Sequence, residues 1–255
     1  MRVILAFVFL ISSANAFSQA TLLGHNLSPT TYTIKKGDVS VGTYAAIVGV
    51  TDNLVIGTSP WMYFDYNMYT FVARQGKQID EKSRFGWQLI YFKSDREVSY
   101  ITDGYQMEAF SGNLTYTRRI NSRFSLHFNY NHMYFLDETV PFSLRREPFN
   151  DDTFQSTLTM LAEIKGTSNW GLLAEAGVLG LNYVYPQMIL GVSTNYIHKN
   201  YLVQLGFNIT STPEALFLSP RNDANNMNGG RLTNDRFEGE RDFSVHPEIQ
   251  FQYTF

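Results

Sequence analysis

From Val245 to Phe255 the side chains alternate without a break. Val245, Pro247, Ile249, Phe251, Tyr253 and Phe255 are apolar, and His246, Glu248, Gln250, Gln252 and Thr254 between them are polar. A strict period of two marks a β-strand with one oily and one wet face. The oily face needs an apolar neighbour. That neighbour is either a second sheet, as in a sandwich, or the hydrocarbon of a membrane, with the wet face turned to a lumen.

Composition separates the two. The chain has 255 residues, with 16 Tyr and 20 Phe among them, yet its mean hydropathy of −0.19 is that of a protein that lives in water. After the first residues no run of roughly 20 apolar residues, the length a membrane helix requires, occurs. Richness in aromatics with a hydrophilic average is what lipid-facing strands produce, because each outward residue is diluted by an inward one. The longest apolar run, residues 3–11, follows Arg2 and precedes Ser12-Ser13-Ala14-Asn15-Ala16. It is too short to span and reads as a secretory signal peptide, residues 1–16, with cleavage as late as residue 20. Residues 21–255 are then expected to form a single domain.

Period-two segments recur along that domain. Tyr201, Val203, Leu205, Phe207 and Ile209 form one face, and Phe124, Leu126, Phe128 and Tyr130 another; Phe154, Leu158, Met160 and Ile164 form a third. Strands are expected over residues 30–34, 39–50, 54–60, 66–75, 85–94, 105–118, 123–136, 153–164, 170–181, 187–198, 201–211 and 244–255, twelve in all. Strand 30–34 is kept because an even count is needed to bring both ends to the side carrying the short turns. Those turns fall near residues 51–53, 76–84, 120–122, 165–169 and 199–200, whereas 137–152 and 213–242 are long loops. Short turns on one side and longer loops on the other are the habit of a barrel inserted from the periplasm. Aromatics at strand ends (Trp61, Tyr63, Phe64 and Tyr66, with Tyr183 and Tyr185) suit the membrane interfaces.

With these features the chain resembles bacterial outer-membrane β-barrel proteins of the uncharacterised, porin-like class. The segment TIKKGDVSVGTYAAIVGVTDNLVIGT is similar to the opening hairpins of such barrels. The resemblance implies a transmembrane antiparallel up-and-down barrel of about twelve strands in the outer membrane, with periplasmic termini. It also implies that Phe255, Tyr253 and Phe251 form an assembly signal read by the barrel assembly machinery, and that outer-membrane lipid and lipopolysaccharide surround the barrel.

Chemistry is sparse. No cysteine is present, which excludes disulfides and thiol chemistry, and a net charge of −3 without a basic cluster excludes nucleic acid as a partner. The histidines are His25, His127, His132, His198 and His246, and none has serine two residues later, as a lipid-facing Ser–His hydrolase on one strand would need. Ser125 and His127 stand in the reverse order and face the lumen by parity. Asp137, Glu138, Asp151 and Asp152 with His132 near by could suggest a protease rim, and RNDANNMNGG a calcium loop, but solvated loops explain both. No catalytic, cofactor-binding or metal site is assigned, and no cofactor.

The lumen carries the functional expectation. Ser111, Asn113, Thr115, Thr117, Thr157, Thr159, Gln204, Asn208 and Gln250 face it by parity, as neutral hydrogen-bonding groups. The candidate lining residues with the most chemistry are His127, Glu163, Glu175, Glu248, Arg119 and Gln250. Gly171, Gly177, Gly191 and Gly206 argue for space inside. The expected function is a narrow channel for small neutral or weakly cationic solutes, since an anion pore would present rings of arginine. The alternative is a closed barrel working through its loops in adhesion, reception or structure. A membrane-embedded hydrolase comes third.

Overall fold

The computed structural model describes residues 29–60, 62–63, 68–94, 108–136, 154–167, 169–182, 186–210 and 244–255. The expected signal peptide, His25, both expected long loops with their acidic and Asn/Gly-rich stretches, and Trp61, Phe64, Tyr66, Tyr183 and Tyr185 lie outside them.

Twelve strands form a closed antiparallel barrel: β1 (Val39–Gly42), β2 (Ala46–Thr51), β3 (Leu54–Thr58), β4 (Met68–Gln78), β5 (Ser83–Ser94), β6 (Glu108–Arg119), β7 (Phe124–Phe135), β8 (Phe154–Lys165), β9 (Trp170–Leu179), β10 (Gln187–His198), β11 (Tyr201–Thr210) and β12 (Ser244–Thr254). Each strand pairs with its sequence neighbours, and β1 pairs with β12 through Ser40 and Thr254, Val41 and Tyr253, and Gly42 and Gln252. Closure leaves no free edge and satisfies the backbone within the barrel, as a lipid environment demands. The turns after β2, β4, β6, β8 and β10 are short and lie at the same end as Val39 and Phe255, where Phe255 N–H donates to Val39 O at 2.8 Å. Two of them, Asp52-Asn53 and Lys199-Asn200, have only two residues, and in the second Lys199 takes a left-handed φ of 52°.

The expected count of twelve is right, but its first members are not. Residues 30–34 pair with no strand, and the expected strand 39–50 is two strands, β1 and β2, joined by a turn in which Gly42 N–H donates to Ala45 O at 2.8 Å. Gly42 marks the corner: a Cβ there would overlap the Phe251 carbonyl of β12. The run Thr30-Thr31-Tyr32-Thr33-Ile34, β-branched but for its tyrosine, does favour extended backbone, but its contacts are with the inside of the wall. Tyr66 to Gln75, which both parities fit, resolves with Met68, Thr70, Arg74 and Gly76 inward and Tyr69 and Phe71 outward.

The outer surface is apolar around the barrel. Phe71, Leu89, Phe110, Leu114, Phe128, Leu158, Leu190, Leu205, Phe207 and Ile249 all stand exposed. Water-soluble monomers rarely expose a contiguous apolar belt, which marks a surface that meets a membrane or a partner. On β6 the belt is bounded by Glu108, which lies 3.8 Å from Lys93 near the long loops, and by Arg118, 3.7 Å from Asp80 near the short turns. Ten residues at ~3.4 Å each and a tilt of about 40° give a height of roughly 26 Å, the apolar band of an outer-membrane barrel. Among the described residues no helix is long and apolar enough to cross a membrane; strands make the crossing. The protein is a transmembrane β-barrel of the outer-membrane type.

Candidate functional site in the lumen

Pleating sends alternate residues of every strand inward, so the lumen is lined by a regular selection from the sequence. At the long-loop end apolar side chains gather, with Met68, Phe92, Ala109, Met133, Leu179 and Ile189 all buried there beside Thr70 and Gln155. Below that collar lies a belt of amides and hydroxyls. Thr115 donates to Asn129 Oδ1 at 2.6 Å and Asn131 Nδ2 donates to Ser111 Oγ at 2.7 Å, bridging β6 to β7. Across the lumen Glu248 gathers the amides of its neighbours. Gln204 Nε2 donates to it at 3.2 Å, Asn208 Nδ2 at 3.5 Å, and Gln250 Nε2 bonds the same carboxylate.

These side chains are packed against one another. His127 and Gln204 are 0% exposed, Glu163 2%, Glu175 3% and Glu248 4%, values that an open aqueous lumen would not give. Three of the four glycines expected to leave space do not: Asn195 fills the position at Gly171, Thr159 that at Gly177, and Ser193 that at Gly206.

At the short-turn end the lumen is occupied by the chain itself. Residues 30–35 run against the inner wall at two glycines. A Cβ on Gly76 would overlap the carbonyl of Thr31, and one on Gly49 that of Lys35. Ile34 anchors the segment in a small apolar cluster with Ile47 and Val55, and Thr33 Oγ1 donates to Asp52 O at 2.9 Å. Thr31 and Thr117 share a hydroxyl hydrogen bond of 3.0 Å.

Tyr32 reaches the best-developed polar group of the lumen. His127 Nδ1 is 2.8 Å from Thr117 Oγ1, and its Nε2 is 3.4 Å from Glu163 Oε2, an ion pair only when the imidazole is protonated. The Tyr32 hydroxyl donates to the same Glu163 oxygen at 3.3 Å. Its ring meets His127 edge-on at 5.7 Å and 83°, and the Arg84 guanidinium lies 5.7 Å from the ring centroid. Burial, and then the Glu163 charge, raise the Tyr32 hydroxyl above the ordinary phenol range.

Of the expected lining residues, His127, Glu163, Glu175, Glu248 and Gln250 are buried on the inward face, whereas Arg119 is exposed at the short-turn rim, with Nη2 donating to Glu81 O at 2.8 Å. Two inward arginines escaped the sequence reading. Arg74 stood in the strand of ambiguous parity, and Arg84 just outside the expected start of β5; Gly86, which is also inward, was the available signal for Arg84. Phe251, Tyr253 and Phe255 face outward. Tyr253 and Phe255 end a run of ring contacts that starts at Trp170 and passes through Tyr196, His198 and Tyr201.

A serine and a histidine do meet on the lipid face, across strands rather than along one. His132 of β7 pairs in register with Ser156 of β8; Nδ1 is 3.2 Å from Oγ, and Tyr130 OH also lies 3.2 Å from that oxygen. The ring of His132 stacks on Phe154 at 5.0 Å. Among the described residues no cluster of three or more His, Asp or Glu side chains could hold a metal ion.

No protein-family model matches the chain, and no curated protein matches it. Among solved structures it is similar to the CymD monoaromatic hydrocarbon channel, with 11% identity over 83% of this chain and 72% of that one, at a TM-score of 0.41. It is also similar to the toluene transporter TbuX of Ralstonia pickettii, with 12% identity over 83% and 66%, at 0.38. A third similar structure is the P. putida toluene transporter TodX, with 10% identity over 85% and 69%, at 0.36.

Proposed function

We propose that the barrel is a narrow outer-membrane channel for small neutral or weakly cationic solutes, held shut by residues 30–35. One observation carries the reading: a stretch that belongs to no strand is seated inside a polar wall, with Thr117, His127 and Glu163 among its partners, against glycines that let its backbone lie flush. Wall residues can only rotate, whereas this segment can leave. Inward charge is mixed, with Glu163, Glu175 and Glu248 set against Arg74 and Arg84. Such a wall suits solutes of little charge, with a mild bias toward cations. Membrane lipid and lipopolysaccharide surround the apolar belt in this reading.

Single-channel recording in planar bilayers tests it. The full chain is expected to open rarely, and Gly76→Val, which forces Thr31 off the wall, to open far more often. Silence of both at every voltage removes the channel. The closed-barrel reading, with the long loops doing the work, then stands, and the packed lumen is the observation that favours it.

A further inference from the structure

The groups around Tyr32 come from three different strands and serve three different features of one phenol. Glu163 of β8 accepts from the hydroxyl, Arg84 of β5 lies over the ring face, and His127 of β7 meets the ring at right angles. Each is a known way of holding an aromatic alcohol: an acceptor for O–H, a cation over the π face, and an edge-to-face ring. All three belong to the barrel wall and stay there if the segment leaves. Only the ligand is carried on a part of the chain outside the strand ladder.

We infer that this seat is a binding site for a free monocyclic phenol, with Tyr32 as its tethered occupant, so that a phenolic solute competes with the plug for its own place. The inference rests on the reading of the lumen as a solute path and names the solute class that would open it. It also sets the selectivity. Toluene offers the ring without the hydroxyl that Glu163 accepts, and cyclohexanol offers the hydroxyl without the π face that Arg84 and His127 meet. A phenolate would place its charge against Glu163, so the neutral form is the one taken.

The test is binding rather than current. Phenol is titrated calorimetrically into the full chain in detergent micelles, as wild type and as Tyr32→Ala. A tethered competitor at millimolar effective concentration weakens an external ligand, so Tyr32→Ala is expected to bind phenol roughly tenfold tighter or better. Toluene and cyclohexanol should bind at least about tenfold more weakly than phenol, because each lacks one set of contacts. Adding His127→Ala or Arg84→Gln to Tyr32→Ala should abolish saturable binding. Equal affinity in wild type and Tyr32→Ala, or affinity that survives both second substitutions, overturns the site. Because a wall variant can fail to fold, 3-fluorotyrosine at position 32 of the otherwise native chain gives a second readout. Its fluorine resonance should move with phenol and stay with cyclohexanol, and no movement with phenol also overturns the site. Binding without conductance keeps the site and removes the channel, whereas conductance of Gly76→Val without phenol binding removes the site alone.

Discussion

The carbonyl oxygen of Thr31 lies where a Cβ on Gly76 would have to be. Gly49 stands in the same relation to Lys35, so two wall glycines hold one segment. Gly76→Ala and Gly49→Ala should each displace the plug and cost about 1–3 kcal/mol by overpacking. Gly112 is the control: its added Cβ would have nothing nearer than Leu89 Cδ2 at 3.7 Å. Gly112→Ala should therefore leave both the urea midpoint in liposomes and the conductance unchanged.

Docking of the plug should fail in alkali. The Tyr32 hydroxyl titrates above its ordinary value when seated, so the seated form keeps its proton longer than the released form. The sign follows. Docking is at full strength below about pH 10, the value of a free phenol, and weakens as pH rises through the range between the free and seated values. Open probability should climb above about pH 10 in the wild type. Tyr32→Phe, which has no proton to lose, should show no such rise; an equal rise there would assign it to other groups.

Glu248 serves as the common acceptor for Gln204 and Asn208, which bind β11 to β12 on the lumen side, and for Gln250 of its own strand. Glu248→Gln replaces an acceptor oxygen with a donor facing donors. It should cost about 1–3 kcal/mol in equilibrium unfolding. In a Gly76→Val background, Glu175→Gln and Glu248→Gln should each move the zero-current potential in a salt gradient toward zero, since each removes an inward negative charge. An unchanged potential would place both carboxylates off the permeation path.

The apolar belt makes a depth-dependent prediction. Leu114 is exposed at mid-height on β6, and Leu136 is exposed just beyond β7 at the long-loop rim. Leu114→Arg should destabilise by about 2–4 kcal/mol and Leu136→Arg by about 0–1. Equal costs, read from urea unfolding in vesicles, would contradict the placement of the bilayer.

Parity was legible wherever the two faces differ in chemistry. In β7, β8, β11 and β12 aromatic or aliphatic residues alternate with Ser, Asn, Gln and Thr, and the outward sets read from sequence are the exposed or half-exposed ones. In β4 both faces carry aromatics or long polar chains, so period alone could not choose, and Arg74 went unseen. The first hairpin failed for another reason. Its strands are four and six residues long, shorter than a pattern needs to declare itself. The segment at 30–34 looks like a strand because extended backbone has one appearance whether it pairs or merely packs. The wall glycines were visible as interruptions of strands, a mark of close backbone approach. Which backbone approaches depends on register, and so does the meeting of His132 with Ser156, 24 residues apart.

The seam between β1 and β12 holds only three register pairs, where seven of the eleven other ladders hold ten or eleven. Every other ladder joins strands adjacent in sequence and can form as a local hairpin. The seam, by contrast, brings the Ser40 and Thr254 hydroxyls to 2.9 Å across 214 residues. Its entropy of closure is the largest in the molecule and its reward in hydrogen bonds among the smallest. Folding should therefore run as a ribbon that grows hairpin by hairpin and circularises last. Under slow denaturation the same seam should part first, so amides of Val39 to Gly42 should exchange with solvent ahead of those in β6 and β7.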